Sequence, residues 1–590
     1  MPDTRQHVHA TSADAVAAWL SEVEGARIVA VDTETTGWDP WLDDLLLVQV
    51  SAGPAHPVLV LDARLVAPAA LSALLADRDV LKVFHHGSFD LRFLSRAGLR
   101  VQRVADTMLA QQLLDGGEKT AQGLGLAALS SFRLGMELDK SVRETFAAGG
   151  AVTDAQIVYA ADDAAATWGV FDQQWRELVG HGLTEAARIE FAALPVLAGM
   201  QLRGVPFDAP RWREVVGRLE GALPALEEAV QHTLVTPDSP RDLFGPTPVN
   251  LDAPEQVRAA LARVGVAVDS TRESLLRDHR HHPAVAALLS YRQVAKITSS
   301  WGGDWADRAL HPVTGRVHPD WRQIVGTGRI SCTEPSLLQI PKEARYRSCF
   351  GGQEGRAMIV ADYSQQELRI LAAVSGDEAL TDLFRSGGDL HTTTAAMVFG
   401  VPEDAVQPQQ RSAAKQLNFG LMYGMGAPGF ARATGTTIEA ARATMDRYFA
   451  AFPRVASWQH ATEAAARRSG RVRTPLGRLR VLPADAPASL ARNAPIQGAG
   501  ADMTKIALAE VGGRLDALLG TGPARDSQGI VLVVHDEIVV DVAQERVEEA
   551  RAAVEEGMLV AARRVLGDVP AAVEATVQER WGRLESLPAL

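Results

Sequence analysis

The chain has 590 residues, 47% of them hydrophobic and 22% charged, with a formal net charge of −13 at pH 7. This composition is typical of globular proteins, and the length predicts several domains with sizeable cores. The first thirty residues lack the apolar core of a signal peptide, and no apolar run reaches the roughly 18 residues of a membrane helix. The two cysteines, Cys332 and Cys349, are too few for a disulfide framework. We therefore expect a soluble, cytoplasmic protein.

The acidic net charge, taken alone, argues against nucleic acid as a partner, because phosphate groups favour basic surfaces. Net charge does not report its distribution, and carboxylates that hold metal ions are counted as negative. One local stretch is strongly basic: the segment from Arg467 to Arg480 carries six arginines and no acid. A solvated arginine-rich face is the simplest interpretation of that segment.

Residues 28–177 alternate short apolar runs with helical segments, as in an α/β domain. The runs at 28–31 and 80–84 predict buried strands, and the stretch 45–63 predicts two strands joined at a Gly-Pro turn. From about residue 185 to residue 305 the apolar spacing is mainly helical, and beyond it strands and helices mix again.

Acidic residues recur at a strand end and on helices in this first region. Asp32 and Glu34 lie two residues apart at the end of a strand, so both side chains point to the same face. Asp90 begins a helix, while Tyr159 and Asp163 lie four apart on another helix and share one face. Singly, each acid is equally compatible with a solvated turn. Together they form the set that a two-metal phosphodiester hydrolase needs, with its ions about 4 Å apart.

The motifs DTET, HHGSFD and YxxxD, in this order and over this length, resemble the DEDD-type 3′→5′ exonucleases of the Tyr subclass. The resemblance implies a ribonuclease-H-like α/β domain at residues 1–180. It also implies that the four carboxylates bind metal ions and that the tyrosine supports the attacking water. The implied residues are Asp32, Glu34, Asp90, Asp163 and Tyr159.

Two acidic motifs also occur in the C-terminal half. In MIVADYSQQELRIL an apolar strand gives way to a helix, which places Asp362 at the strand end. In VLVVHDEIVV, His535, Asp536 and Glu537 stand between two β-branched runs, a pattern typical of a hairpin tip. These strand-borne acids could share metal ions, or they could be solvated turn residues.

Between these motifs, Arg411, Lys415, Phe419 and Tyr423 recur at every fourth position. Each step drifts by about 40°, so the four residues lie along one side of a helix for about 18 Å. Two cations suit phosphates, and two rings suit stacking on a base. Core packing with a basic rim would explain the rings but not both cations on one face.

The blocks DYSQxELR, RxxxKxxxFxxxYG and HDE resemble the polymerase motifs of family A DNA polymerases, and the resemblance extends from about Ile189 nearly to the C-terminus. The implied fold is α/β and α+β multidomain: a ribonuclease-H-like exonuclease domain precedes a right-hand polymerase domain, with no room before it for a 5′-nuclease domain. The implied polymerase domain is 185–590, with a thumb at about 185–320, a palm at about 321–385 and 480–590, and fingers at about 386–479.

The resemblance implies a DNA-dependent DNA polymerase with its own proofreading exonuclease, two Mg²⁺ ions per active site and Mn²⁺ as a substitute. Its partners would be primer-template DNA and deoxynucleoside triphosphates, and we expect a monomer that acts in replication or repair without a membrane. Glu367 stands where the family excludes a ribose 2′-hydroxyl. The other implied residues are Asp362, Asp536 and Glu537 for catalysis; Arg411, Lys415, His391, Phe419 and Tyr423 for the nucleotide; and Arg329, Gln497, Asn493 and His535 for DNA.

Three alternatives remain. A 3′→5′ exonuclease whose polymerase half mainly binds DNA predicts decay of the C-terminal motifs, yet Asp362, Lys415 and Asp536 are all present. A catalytically dead DNA-binding protein predicts loss of acids from both sets. An RNA-directed enzyme is disfavoured by Glu367.

Overall fold

The computed structural model describes five stretches of the chain: 6–118, 123–148, 150–243, 245–520 and 527–582. Contacts between residues divide the chain into two compact units. The predicted division into exonuclease, thumb, palm and fingers remains a prediction. Unit 1 comprises Met1–Gly204, Pro319–Gln339 and Gly355–Val577, and unit 2 comprises Val205–His318, Ile340–Glu354 and Gln578–Leu590.

The first sheet of unit 1 has six strands in the order β1-β4-β3-β2-β5-β6. Strand β3 is antiparallel to its neighbours β2 and β4, whereas the other neighbouring strands are parallel. The apolar runs predicted as strands are therefore strands, and their side chains form the main core of this region. The strands are β1 His7–Ala10, β2 Ile28–Thr35, β3 Leu45–Ser51, β4 Val58–Asp62, β5 Leu81–Phe84 and β6 Val104–Asp106.

Helices pack against this sheet, and the longest of them, α6, contacts β2, β3 and β4. Thr153 and Gln156 begin α6 with a capping box, in which each side chain pairs with the backbone N–H of the other residue. This fixes where the helix starts and hence which residues face the sheet. The helices are α1 Ala13–Glu22, α2 Ser72–Ala76, α3 Ser88–Arg96, α4 Thr107–Leu114, α5 Leu126–Leu134, α6 Asp154–Gly180 and α7 Thr184–Arg203.

A second sheet of unit 1 has four strands in the order β16-β17-β13-β18. Its central strands β13 and β17 are antiparallel, with Ala361 opposite Ile538. Two long helices, α21 and α22, pack against one another and contact this sheet. The elements are β13 Arg356–Tyr363, β16 Gly529–Val534, β17 Glu537–Ala543, β18 Val573–Gln578, α21 Ala488–Leu519 and α22 Val547–Leu566.

The remaining elements of unit 1 are mostly helices that lie between β13 and α21 in the chain. They include a short antiparallel hairpin, β14–β15, within the arginine-rich segment. The elements are β11 Asp320–Arg322, β12 Ser331–Thr333, α14 Gln366–Ser375, α15 Glu378–Arg385, α16 Leu390–Phe399, α17 Pro408–Met422, α18 Ala427–Thr434, α19 Ile438–Ala451, α20 Pro453–Ser469, β14 Arg471–Arg473 and β15 Leu479–Val481.

The arginine-rich segment is not simply a solvated face, because several of its side chains bind other parts of unit 1. Arg473 donates to the backbone carbonyl of His181 at 2.9 Å, and Arg480 donates to that of Gly117 at 2.8 Å. Arg478 is buried and pairs with Asp502 at 2.6 Å. The hairpin therefore holds together segments that are distant in the sequence.

Arg478 belongs to a buried cluster of charges. Glu190, on α7, pairs with both Arg478 and Lys505, and the Lys505 Nζ lies 2.5 Å from a Glu190 oxygen. Lys505 also donates to the carbonyl of Gly328 at 2.7 Å. Buried charges are stable only when each is paired, so this cluster ties α7, the hairpin and α21 to the loop before Arg329.

Unit 2 is mainly helical, and its long helices α8 and α11 pack together. Aromatic rings surround Trp212, with the Trp305 ring 4.9 Å away and Trp301 and Phe350 nearby. Its elements are β7 Val205–Pro206, α8 Ala209–Leu234, β8 Arg241–Asp242, β9 Gly245–Pro246, α9 Pro254–Arg263, α10 Glu273–Leu276, α11 Pro283–Trp301, α12 Gly303–Ala309, β10 Arg316–Val317 and α13 Ala344–Arg347.

Within the described ranges, no helix is both long enough and apolar enough to span a bilayer.

Candidate active sites

The first acidic centre forms where α6 crosses β2. Asp32 and Glu34 extend from the same face of β2, and Asp163 extends from α6. Ligand oxygens of these three side chains all lie within 4.8 Å of one another. The strand spacing explains why the first two are neighbours, but only the packing of α6 on β2 brings Asp163 to them.

The other two predicted residues lie at the same cavity. Asp90, near the start of α3, is buried and accepts a hydrogen bond of 2.6 Å from the Thr33 hydroxyl. Tyr159 lies one helical turn before Asp163, and its ring is largely buried. A cavity of about 750 Å³ is lined by all five residues of this centre. The structure thus brings the whole predicted set together: Asp32, Glu34, Asp90, Tyr159 and Asp163.

Burial and mutual repulsion dominate the electrostatics of this centre. Burial, followed by the charges of Asp90 and Glu34, raises the pKa of Asp32 well above its usual range. Burial and then the charge of Asp163 raise the pKa of Glu34 to about 8. Burial also raises the pKa of Asp90 to about 7, although the bond from Thr33 opposes this shift. A bound cation would neutralise the cluster and favour the ionised form of these acids at neutral pH.

Carboxylate oxygens are hard donors, which suits Mg²⁺ and Mn²⁺. One oxygen of Asp163, Oδ1, is buried without a hydrogen-bond partner. A buried, unsatisfied carboxylate oxygen costs free energy unless something binds it. The residues of the first centre therefore fit a divalent cation.

Three side chains at this cavity were not predicted from the sequence. Lys140 donates to Asp163 Oδ2 at 2.5 Å and to the Tyr159 hydroxyl at 3.4 Å. The Arg143 guanidinium lies 4.6 Å from the Trp38 ring centre, and Trp38 is 65% exposed. None of the three belongs to a periodic or paired pattern, so the sequence carried no signal for them.

The second acidic centre lies on the four-stranded sheet. Asp362 is the penultimate residue of β13, and Glu537 begins β17. His535 and Asp536 form the tight turn between β16 and β17, where His535 adopts a left-handed φ of 60°. The hairpin predicted from HDE is confirmed, and the pairing of β13 with β17 brings Asp362 to its tip.

Asp362 and Asp536 share a hydrogen bond, so the two carboxyl groups are in contact. Partial desolvation and then the charges of Asp536 and Glu537 raise the pKa of Asp362 to about 7. Because the Asp362 side chain is exposed, we attribute more of this shift to its acidic neighbours than to burial. Burial, with a contribution from Glu367, also raises the pKa of Asp536. Like the first centre, this pair favours a cation.

The predicted stripe of four residues follows α17. Arg411 and Lys415 are exposed, and Arg411 Nε donates to Asp389 at 2.5 Å. The Phe419 ring lies 6.4 Å from that of Tyr423. The helix ends at Met422, so Tyr423 is its C-cap rather than part of its last turn. His391 packs beside Phe419, with 6.1 Å between ring centres.

His391 is buried, and desolvation lowers the pKa of its imidazole. Its Nδ1 lies 3.1 Å from Nδ2 of Asn418. A neutral, partnered imidazole can offer a hydrogen bond but not a fixed charge.

A hydrogen-bonded group connects α17 to the second acidic centre. Glu367 accepts a bond from the Tyr423 hydroxyl, and its other oxygen pairs with Arg329 at 2.6 Å. Tyr423 also shares a hydrogen bond with Gln497, which is on α21. One turn earlier, Asn493 has a buried side-chain oxygen without a partner. The structure thus brings together predicted residues from four separate parts of the chain.

The chain thus carries two acidic centres, each on its own sheet, as expected of a protein with two separate carboxylate sites. A model of 3′-5′ exonuclease domains matches residues 8–179, and a model of DNA polymerase family A matches residues 226–583. The chain therefore belongs to DNA polymerase family A, which confirms the resemblance seen in the motifs and the predicted fold class.

The relatives agree with this assignment. DNA polymerase I of Pseudomonas aeruginosa is 33% identical over 96% of this chain, and the thermostable DNA polymerase I of Thermus aquaticus is 32% identical over 92%. The chain spans 64% and 61% of the lengths of these two relatives. DNA polymerase I of Aquifex aeolicus is 29% identical, and 97% of its length is covered.

A solved structure is similar over nearly the whole chain. It is the polymerase domain of Pol1 from M. smegmatis, in complex with DNA primer-template and dNTP. The TM-score is 0.80 at 28% identity, and the match covers 97% of this chain and 99% of that one.

Proposed function

We propose that this chain is a DNA-dependent DNA polymerase with 3′→5′ proofreading exonuclease activity. The observation that supports this most is the pair of acidic centres on two separate sheets, with the cationic and aromatic face of α17 linked to the second. The primer-template and dNTP named for the M. smegmatis structure are the substrates we propose for this chain.

Both centres would hold divalent metal ions, and we propose Mg²⁺, with Mn²⁺ able to replace it. When bound, such ions polarise phosphoryl oxygens and lower the pKa of a bound water or hydroxyl. At the first centre the ligands would be Asp32, Glu34, Asp90 and Asp163. At the second they would be Asp362 and Asp536, with Glu537 beside them.

In the exonuclease centre, a water oxygen attacks the phosphorus of the last phosphodiester, and the bond from phosphorus to the 3′-oxygen of the preceding nucleotide breaks. Burial and the charge of Asp163 raise the pKa of Tyr159, so its hydroxyl keeps its proton. We infer that Tyr159 orients the water through that hydroxyl rather than removing a proton from it. The exposed Trp38, with the Phe89 ring 5.6 Å away, offers a stacking surface for a single-stranded 3′ end.

In the polymerase centre, the primer 3′-oxygen attacks the α-phosphorus of the incoming nucleotide, and diphosphate leaves. Catalysis of this kind rests on positioning and on charge neutralisation. Arg411 and Lys415 are the two exposed cations of α17 that would bind the triphosphate, and His391 would add a hydrogen bond. Phe419 and Tyr423 would pack against the sugar and base.

Glu367 is held by Tyr423 and Arg329, and we propose that its fixed carboxylate excludes a ribose 2′-hydroxyl. The remaining DNA contacts would lie around this group and the hairpin tip. They are proposed for Arg329, Gln497, Asn493 and His535. Contacts of this kind to sugar and phosphate give little sequence preference, which suits a copying enzyme.

We further propose a cytoplasmic monomer that acts in replication or repair. Both cysteines are buried free thiols, as expected in a reducing compartment.

A primer-extension assay tests the function. With Mg²⁺ and four dNTPs, the protein should extend a primed template, and without dNTPs it should shorten the primer from its 3′ end. Asp32→Ala should abolish shortening and spare extension, whereas Asp536→Ala should do the reverse. Shortening without extension by folded wild-type protein would favour the alternative, an exonuclease whose polymerase half mainly binds DNA. Loss of both activities in either single variant would refute the assignment of two separate sites.

A further inference from the structure

Lys140 occupies an unusual place in the first acidic centre. It begins a 3₁₀ segment, Lys140–Ala148, that precedes α6. Its Nζ lies 2.5 Å from Asp163 Oδ2 and 3.4 Å from the Tyr159 hydroxyl, so it touches two of the groups proposed for hydrolysis. The Asp163 side chain is only 6% exposed, whereas that of Lys140 is 36% exposed and faces the cavity. A strand end that enters the cavity would find this ammonium group in its lining.

The charge balance of the centre indicates that a further cation is needed to offset the charge of the bound phosphate. Two divalent ions would cancel four carboxylates and leave nothing to offset the phosphate that is cleaved. The negative charge on the oxygens of that phosphate also has to be neutralised in the transition state. Among the described residues that line this cavity, the lysine and arginine side chains are Lys140 and Arg143, and both come from the same 3₁₀ segment.

The Arg143 guanidinium lies near the Trp38 ring, and its charge, like that of Lys140, lowers the pKa of Glu34. Lys140 lies on the side of Asp163 and Tyr159. Lys140 is thus the cation closer to the tyrosine proposed to hold the water. The contacts of the two cations therefore differ: Lys140 contacts Asp163 and Tyr159, whereas Arg143 lies beside the exposed Trp38 ring.

We propose that Lys140 binds a non-bridging oxygen of the scissile phosphate and exchanges its bond with Asp163 for that contact when a 3′ end enters the exonuclease centre. The inference rests on the proposed exonuclease activity. In the step it assists, the water oxygen bonds to phosphorus and the bond from phosphorus to the 3′-oxygen breaks. The attacking water loses a proton to solvent, and the departing 3′-oxygen gains one. Lys140 keeps its own protons throughout and stabilises charge.

This role predicts two effects of opposite direction. In the absence of DNA, the ammonium competes with a divalent ion for Asp163, so its removal should strengthen metal binding. In the presence of DNA, removal should slow cleavage because the phosphate loses its cation. A lysine that only holds the carboxylates in place would instead weaken both when it is removed.

The experiment uses the full chain carrying Asp536→Asn, which suppresses the polymerase centre in every sample. Lys140→Met removes the charge and keeps much of the side chain, while Lys140→Arg keeps the charge. Arg176→Met is the matched control, because it removes an exposed cation on the same helix as Asp163, about 20 Å further along. Thermal melting confirms that each variant folds.

Free Mn²⁺ is titrated by electron paramagnetic resonance without DNA, and Lys140→Met should bind Mn²⁺ about tenfold more tightly. Single-turnover shortening of a single-stranded oligonucleotide at saturating Mn²⁺ should become about a hundredfold slower, as for loss of one group that stabilises developing charge. Lys140→Arg should bind Mn²⁺ about as tightly as the parent does. Its cleavage rate should lie between that of the parent and that of Lys140→Met. The control should match the parent in both.

Weaker Mn²⁺ binding by Lys140→Met, or an unchanged cleavage rate, would overturn this role while leaving the exonuclease function intact. No shortening by the parent that retains Lys140 would overturn the exonuclease function, and this inference with it.

Discussion

The carboxylate cluster of the first centre should make the stability of the metal-free protein fall as pH rises. Burial and Asp163 raise the pKa of Glu34 to about 8, against an ordinary value of 4.5. An acid whose pKa is raised on folding contributes its full stability below the unfolded value, and that stability is lost as pH rises through the folded value. The sensitive window therefore runs from about pH 4.5 to about pH 8.

The magnitude follows from the difference between these two pKa values. Each pKa unit corresponds to about 1.36 kcal/mol, so an ionised Glu34 costs up to ~5 kcal/mol relative to its protonated form. Because the neighbouring acids share the same charge, we expect ~3–5 kcal/mol for the substitution Glu34→Gln. Unit 1 has more than 400 residues, so for unfolding of the whole unit this corresponds to a rise in melting temperature of ~3–5 °C.

The assay is differential scanning fluorimetry of the full chain in EDTA from pH 5 to pH 9. Glu34→Gln should melt near the wild type at pH 5 and clearly above it at pH 9. Added Mg²⁺ should remove most of the difference, because the ion neutralises the cluster in the wild type. Asp172→Asn, which removes a partly exposed acid paired with Arg176 on α6, is the control and should shift little at any pH. Wild-type melting that is flat or rises across this window, relative to Glu34→Gln, would refute the reasoning.

Two further predictions concern the buried ion cluster and the stacking surface. Glu190→Gln leaves the Lys505 and Arg478 charges buried without their partner. The free energy of unfolding, measured by urea denaturation, should therefore fall by roughly 3–5 kcal/mol. A fall of less than ~1 kcal/mol, as for an exposed ion pair, would contradict the argument from burial. Trp38→Ala should raise the KM for shortening a single strand about tenfold with little change in primer extension, since a stacked base is worth ~1–3 kcal/mol. Equal loss of both activities would show that Trp38 supports the fold rather than the strand.

Much of the first centre was predictable because local rules place its residues. Side chains two apart on a strand share a face, as Asp32 and Glu34 do, and side chains four apart on a helix share a face, as Tyr159 and Asp163 do. The same holds for the stripe on α17, except that the helix ends at Met422. Periodicity predicts a face but not the last residue of a helix, since termini depend on capping.

The arginine-rich segment shows where local rules fail. Its six arginines predict a solvated face, yet Arg478 is buried among Glu190, Asp502 and Lys505. Glu190 lies on α7, more than two hundred residues before Arg478 in the chain. Asp502 lies on α21, 24 residues after Arg478. Whether a charge is exposed or buried depends on what packs over it, which no window of sequence contains.

By itself, the sequence determined the two sets of carboxylates, their order, and the strands and helices that carry them, because periodicity and spacing are properties of neighbouring residues. The tertiary structure alone decided that Asp163 meets Asp32 and Glu34, that the Asp362 strand pairs beside the Asp536 turn, and that Lys140 reaches Asp163. The physical reason is that these contacts join segments far apart in the chain. Their distances are set by how helices pack on sheets, and it is at those distances that charge, burial and metal affinity are decided.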